Sequence, residues 1–322
     1  MRYGVTRRAV LKGLPAASLA AGNVCTSFPA SARPPVLEYL FSFGSAGAGE
    51  GQFGYVEDFA FTPDGRLLVT DASHAWVQVF DAANGRFLAR FGGKGGEEQN
   101  LEKPEGIAVD AAGNVFVADY TTGFIQVYDP AFRWVSTFAG HGSGPGQIAK
   151  PEFMTIVEDR LYVPEADNHR VSVFDRSGGF CFGFGRKGTA PGELDNPEAI
   201  KLGPDGRLYL SDLRNDRVQV FDVNGTPLAR WGSTGTGEGE FRSPAGIAVD
   251  AACHVWVTEI GNDRVQAFDH DGCFLGMAGR RGSGPGEFLN LHGIAVHPRT
   301  GLIYVADTGN NRVQVFRPML TD

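Results

Sequence analysis

Glu57, Glu105, Glu152, Glu198, Ala245 and His292 hold one equivalent place in six successive repeats of this 322-residue chain. If the fold brings that place to a common axis, four carboxylates and one imidazole share a small space. Like charges gathered in this way raise one another's pKa or require a counter-cation. Oxygen donors suit Ca²⁺ or Mn²⁺, and an added imidazole extends the choice to Zn²⁺ or Fe²⁺. In such a site His292 would be a metal ligand, with Glu57, Glu105, Glu152 and Glu198, or the catalytic general base. The alternative is a water-filled mouth whose carboxylates stand too far apart to chelate. The choice depends on strand register, because a slip of one residue turns every one of these side chains away.

A second recurring set is structural by the same logic. Asp71, Asp119, Glu165, Asp212, Glu259 and Asp307 end a strand-like run in every repeat, and Arg170, Arg217, Arg264 and Arg312 follow five residues later in four of them. A carboxylate at a turn accepts backbone N–H bonds and pairs with the arginine closing the same hairpin. Trp76 and Phe124 replace that arginine in the first two repeats, with His74 and Tyr120 close by in sequence. These four form a candidate aromatic binding face, or pack within their blades. Glycine-rich stretches such as 140–146 precede a strand, whereas a phosphate loop follows a strand and opens a helix. They read as turns. No Ser-His-Asp or Cys-His arrangement stands out.

The elements that position these residues follow from the repeat. Closing segments WVQVF, FIQVY, RVSVF, RVQVF, RVQAF and RVQVF end at Phe80, Tyr128, Phe174, Phe221, Phe268 and Phe316. Each unit holds four short runs rich in branched and aromatic residues and bounded by turns such as Asp110-Ala111-Ala112-Gly113. Four antiparallel strands repeated six times predict an all-β, six-bladed β-propeller. The last unit stops after its third strand, and the segment from Leu37 to Gly44 matches a missing fourth one. An N-terminal strand therefore closes the last blade, so that residues 33–322 form one domain without exposed edges.

The segments Gly106-Ile107-Ala108-Val109-Asp110 and Leu208-Tyr209-Leu210-Ser211-Asp212, the latter followed by Val218-Gln219-Val220-Phe221, resemble NHL repeats over about residues 36–317. Among six-bladed relatives, peptidyl-hydroxyglycine amidating lyases imply a zinc held by three histidines in a Pro-His-Gly context, to which Leu291-His292-Gly293 compares. Gluconolactonase-type and paraoxonase-like propellers imply an axial calcium, and Pro104-Glu105-Gly106 looks like their glutamate position.

Thr6-Arg7-Arg8-Ala9-Val10-Leu11-Lys12 resembles a twin-arginine export motif, followed by a weakly apolar stretch and Ala30-Ser31-Ala32. Residues 1–32 read as a Tat signal peptide, which implies a periplasmic or secreted product. Loss of Arg2, Arg7, Arg8 and Lys12 takes the 29 basic residues to 25, against 37 acidic ones, and leaves a net charge of −12. That excludes a general nucleic-acid binder. No apolar run is long enough to span a membrane. Partners are expected to be a protein or a small molecule, with the chain a monomer. Cys253 and Cys273 fall in two turns of one repeat and form a disulfide candidate. Two functions remain: a binding scaffold using its loop-rich face and acidic mouth, or a metal-dependent lyase or lactonase.

Overall fold

The inner strands are continuous runs of Val, Ile, Leu, Tyr and Phe, because a sheet packed on both faces has no solvent side to spare. Arg160–Glu165 and Leu208–Asp212 are buried along almost their whole length, whereas the outer strand Arg86–Gly92 alternates between exposed and half-buried. The computed structural model describes residues 36–95 and 100–320. They form six four-stranded antiparallel sheets arranged as a propeller. The blades span 56–92, 104–139, 155–184, 197–231 and 244–278, and the sixth combines 294–318 with 37–43. The proposed export segment 1–32 lies outside the described residues.

Closure occurs as the sequence predicts. Leu37–Phe43 pairs antiparallel with Arg312–Pro318, in a register running from Leu37 opposite Pro318 to Phe43 opposite Val313. The ring is locked by aromatic contacts between blades. Phe43 of the closing strand meets Phe80 of the first blade at 4.9 Å between ring centroids, and Phe184–Phe221 repeats the contact at 5.1 Å. Trp231–Phe268 does so at 5.9 Å. The closing aromatics of the repeat are thus inter-blade packing residues. The glycine-rich stretches are turns: Gly142 N–H donates to the Ile148 carbonyl at 3.2 Å and Gly235 N–H to that of Phe241 at 2.9 Å.

At Gly106, Gly246 and Gly293 the inner strands approach until only glycine fits. A Cβ on Gly293 would stand 2.2 Å from the Glu57 carbonyl oxygen, and one on Gly106 would stand 2.1 Å from that of Glu152. The Gly293 N–H uses the same approach to donate to the Glu57 carbonyl at 2.9 Å. Gly293→Ala is expected to cost about 2–3 kcal/mol through backbone overpacking, a fall in Tm of about 4–10 °C for a domain of this size. A thermal melt showing less than about 1 °C of change would contradict this packing.

Candidate functional site

The acid that ends each second strand belongs to the frame of the site. Asp212 is fully buried and accepts from the Asp195 N–H at 2.7 Å, Asn215 Nδ2 at 2.8 Å, Arg217 Nε at 2.8 Å and Gln219 Nε2 at 3.0 Å. Arg217 and Gln219 in turn donate to the Glu193 carbonyl, each at 2.7 Å, and so staple the glycine-rich loop to the blade. Glu165, Glu259 and Asp307 pair with Arg170, Arg264 and Arg312 in the same way.

The residues leading into the inner strands are aimed by a β-bulge. In the first, second, fourth and fifth blades the register shifts between Val56 and Phe59, Pro104 and Ile107, Pro197 and Ile200, and Pro244 and Ile247. Two residues, such as Glu57 and Asp58, then oppose one on the partner strand, and the bulge re-aims their side chains. In three of these blades a hydroxyl opposite the bulge satisfies the backbone it frees. Thr70 Oγ1 accepts from the Asp58 N–H at 2.9 Å and donates to the Glu105 carbonyl of the next blade at 2.8 Å. Ser211 and Thr258 serve Ala199 and Gly246 identically, and reach the carbonyls of Ala245 and His292. The first, fourth and fifth blades each therefore fix the lead-in residue of the next blade.

Glu57, Glu105, Glu152 and Glu198 are only 2–6 % exposed. They are close enough to perturb one another. Burial, and then the Glu105 carboxylate, push Glu57 well above the usual carboxylate range, and burial followed by Glu198 and Glu105 does the same to Glu152. Glu198 is pushed up to about 8 by burial and Glu105, against the lowering effect of Lys103. Glu105 is also raised by burial, although a hydrogen bond with Glu152 and the Lys103 ammonium oppose this. Lys103 Nζ pairs directly with Glu105 Oε1. Burial disfavours its ammonium, but the Glu105 carboxylate outweighs that and raises the lysine pKa. The Tyr120 ring lies 4.0 Å from Lys103 Nζ and 5.5 Å from Lys150 Nζ. Glu152 Oε2 is buried without a hydrogen-bond partner.

The imidazole takes a separate role. His292 Nδ1 lies 3.2 Å from both the Asn290 carbonyl and Thr308 Oγ1. The Thr308 hydroxyl donates to the Val56 carbonyl at 2.7 Å, so Nδ1 must carry the ring proton. Nε2 is then left as the acceptor, 3.4 Å from the Tyr55 hydroxyl. Burial lowers the His292 pKa to about 4, which keeps the ring neutral. Among the described residues, no three His, Cys, Asp or Glu side chains are placed to hold a metal ion. The carboxylates predicted as ligands are gathered around Lys103, and His292 is tied to Tyr55.

Below the carboxylates the axis is crossed by a bar. Lys201 Nζ of the fourth blade donates to the Met154 carbonyl at 3.0 Å and stands 3.9 Å from Asp58 Oδ2 of the first blade. The same Oδ2 accepts from the Ile107 N–H at 3.2 Å. Beyond the bar, a cavity of about 250 Å³ lined by Phe59, Ile107, Met154 and Ile294 opens towards the opposite face. On the mouth side, a cleft of about 550 Å³ is bounded by Tyr55, Ser73, Lys94, Glu102, Lys103 and Thr121.

The aromatic face divides. His74 stacks on Trp76 at 4.7 Å and binds Asp71 at 2.8 Å, and Arg90 covers the Trp76 ring at 4.3 Å. Trp76 and His74 thus replace the Arg and Asn of other blades around the same buried acid. Phe124 is half-buried over Gly140, whereas Tyr120 reaches the mouth. The proposed Cys253–Cys273 bridge is not formed. Cys253 is a free thiol, whereas Cys273 is disulfide-bonded. The two turns of that blade are separated by intervening strands. Sequence reasoning missed Lys103, Tyr55, Asp58 and Lys201. The place two residues before the lead-in position is Tyr55, Lys103, Lys150, Asn196, Ser243 and Asn290 in the six repeats, so the repeat pattern alone does not single out Lys103.

The NHL repeat family model matches residues 101–128 and 288–316, in the second and last blades. No curated protein sequence matches the chain. Among solved structures, virginiamycin B lyase from Staphylococcus aureus is 14 % identical, covers 87 % of this chain and 95 % of its own, and has a TM-score of 0.60. A gluconolactonase from Xanthomonas campestris is 17 % identical over 84 % and 88 % of the two chains, with a TM-score of 0.64. The hydrazine synthase of Kuenenia stuttgartiensis is 13 % identical over 85 % and 98 %, with a TM-score of 0.59. Such different activities on one architecture show a shared fold. No helix among the described residues is long and apolar enough to cross a membrane.

Proposed function

We propose that this chain is an exported propeller whose channel mouth binds a small polar ligand through Glu57, Glu105, Glu152 and Glu198, beneath Lys103 and Tyr120. The twin-arginine motif at Arg7-Arg8 supports delivery to the periplasm or beyond. One observation carries the reading of the mouth. Four carboxylates are buried around one ammonium, at a place where the fifth blade forms the same bulge with Ala245. Blade construction does not require them, and buried charge in excess of its partners costs stability. Perturbed carboxyls in a recess are what a binding or proton-transfer site maintains at that cost. The aromatic residues His74, Trp76 and Phe124 are used within their own blades, so the mouth, with Tyr120, is the better-supported surface for a scaffold. A metal-dependent lyase or lactonase has less support, because among the described residues the donors do not converge in threes.

The test needs no knowledge of the ligand. A carboxylate kept for the fold loses stability when neutralised, whereas one kept for function gains it. Glu57→Gln should raise Tm at pH 8 by several degrees, about 1–2 kcal/mol, by relieving a buried charge. A fall in Tm would make Glu57 a structural residue and overturn the proposal.

A further inference from the structure

The way the mouth treats its own lysine indicates what else it would hold. Lys103 places an ammonium against the Glu105 carboxylate and under the Tyr120 ring, 4.0 Å from Nζ. Carboxylate oxygens accept hydrogen bonds in several directions, and a tyrosine face attracts a cation. One tethered ammonium does not satisfy the set: Glu152 Oε2, on a residue only 3 % exposed, is buried with no partner. A metal ion would need three or more donors at fixed distances, which are not assembled among the described residues. An anionic ligand would oppose ionisation of the four carboxyls, and a neutral alcohol would offer no charge to offset it. An ammonium donates three hydrogen bonds and needs only acceptors.

Resting on the reading of the mouth as a ligand site, we propose that its guest is a primary alkylammonium group on a slender chain, seated against Glu152 and Glu198 beside the tethered Lys103 ammonium. Lys103 both models this guest and competes with it, since it holds the Glu105 carboxylate that an incoming amine would otherwise share. Binding at neutral pH is coupled to proton release, because an arriving cation draws the carboxyls into their ionised form.

The experiment is isothermal titration of the folded protein with 1,4-diaminobutane, its neutral analogue 1,4-butanediol, and CaCl₂ or ZnCl₂, in two buffers of different ionisation enthalpy. The diamine should bind the wild type with a buffer-dependent heat that reports released protons. Glu152→Gln should weaken it at least tenfold, and Lys103→Met should strengthen it at least tenfold, with unchanged circular dichroism in both variants. Equal binding of diol and diamine, equal diamine binding by wild type and Glu152→Gln, or no diamine binding by either wild type or Lys103→Met would each overturn the ammonium assignment. So would calcium or zinc binding at this site in preference to the diamine. Those results leave the wider reading standing, which falls only with the Tm response of Glu57→Gln.

Discussion

Asp212→Ala is expected to destabilise the protein by about 3–5 kcal/mol. The carboxylate is completely buried and receives the Asp195 N–H, Asn215, Arg217 and Gln219. Its removal leaves the Arg217 guanidinium, itself only 6 % exposed, without a counter-charge. It also frees the loop that Arg217 and Gln219 hold through the Thr189 and Glu193 carbonyls. At about 2–4 °C per kcal/mol for a large domain, Tm should fall by about 10 °C. Asp212→Ala/Arg217→Met should recover part of the loss, because an apolar side chain tolerates the site that an unpaired charge does not. Asp71→Ala in the first blade is the informative contrast. Its partner is His74 and its hairpin closes on Trp76, so no buried guanidinium is stranded. A loss below about 1 kcal/mol for Asp212→Ala, or an equal loss for Asp71→Ala, would show that the acid–arginine pair is not what holds the loop.

The propeller was legible because each of its regularities has a single physical use. The closing aromatic recurs because every inter-blade seam needs one large ring, and the acid recurs because every glycine-rich loop needs one staple. The split last blade was legible because Leu37–Phe43 carries the pattern of an outer strand. The site was legible only in part. Repeat alignment found Glu57, Glu105, Glu152 and Glu198, but their aim comes from a bulge, and a bulge is a property of pairing that no single strand displays. Lys103 belongs to the loop before the strand, and its use depends on the reach of a long side chain. Lys201 is harder still, because it lies in the fourth blade and meets Asp58 of the first. His292 occupies the equivalent place, yet Thr308 and Asn290 fix its Nδ1 proton and turn Nε2 towards Tyr55. The repeat pattern locates such a residue without telling which hydrogen bonds it will satisfy.

The protein should be most stable near about pH 5–6 and lose roughly 3–5 kcal/mol by about pH 8.5, because the mouth folds most easily with its carboxyls protonated. Glu198 has an ordinary value of 4.5 and is pushed up to about 8 by burial and by Glu105. A folded-state pKa above the unfolded one contributes stability that is fully present below the unfolded value, and is lost as pH rises through the folded one. For Glu198 the window is therefore from about 4.5 to about 8, worth at most about 5 kcal/mol for a fully buried group. Glu57 and Glu152 are raised in the same direction, and the cluster gives up its protons in shared steps. His292 acts in the opposite sense on the acid side. Its pKa is lowered from 6.5 to about 4, so the stability of its neutral ring is lost as pH falls through that interval. General repulsion from the net negative charge does not imitate the alkaline loss, since exposed carboxylates are fully ionised by about pH 6. Urea denaturation from pH 4 to 8.5 would resolve both limbs. Glu198→Gln should flatten the alkaline limb and His292→Gln the acid limb. Equal wild-type stability at pH 5.5 and 8.5 would mean that the carboxyls ionise freely, and that the mouth carries no stored electrostatic cost. If the cost is present, it is also the source of binding energy, because the ionisation that loosens the empty ring at pH 8 is the state an arriving ammonium would stabilise.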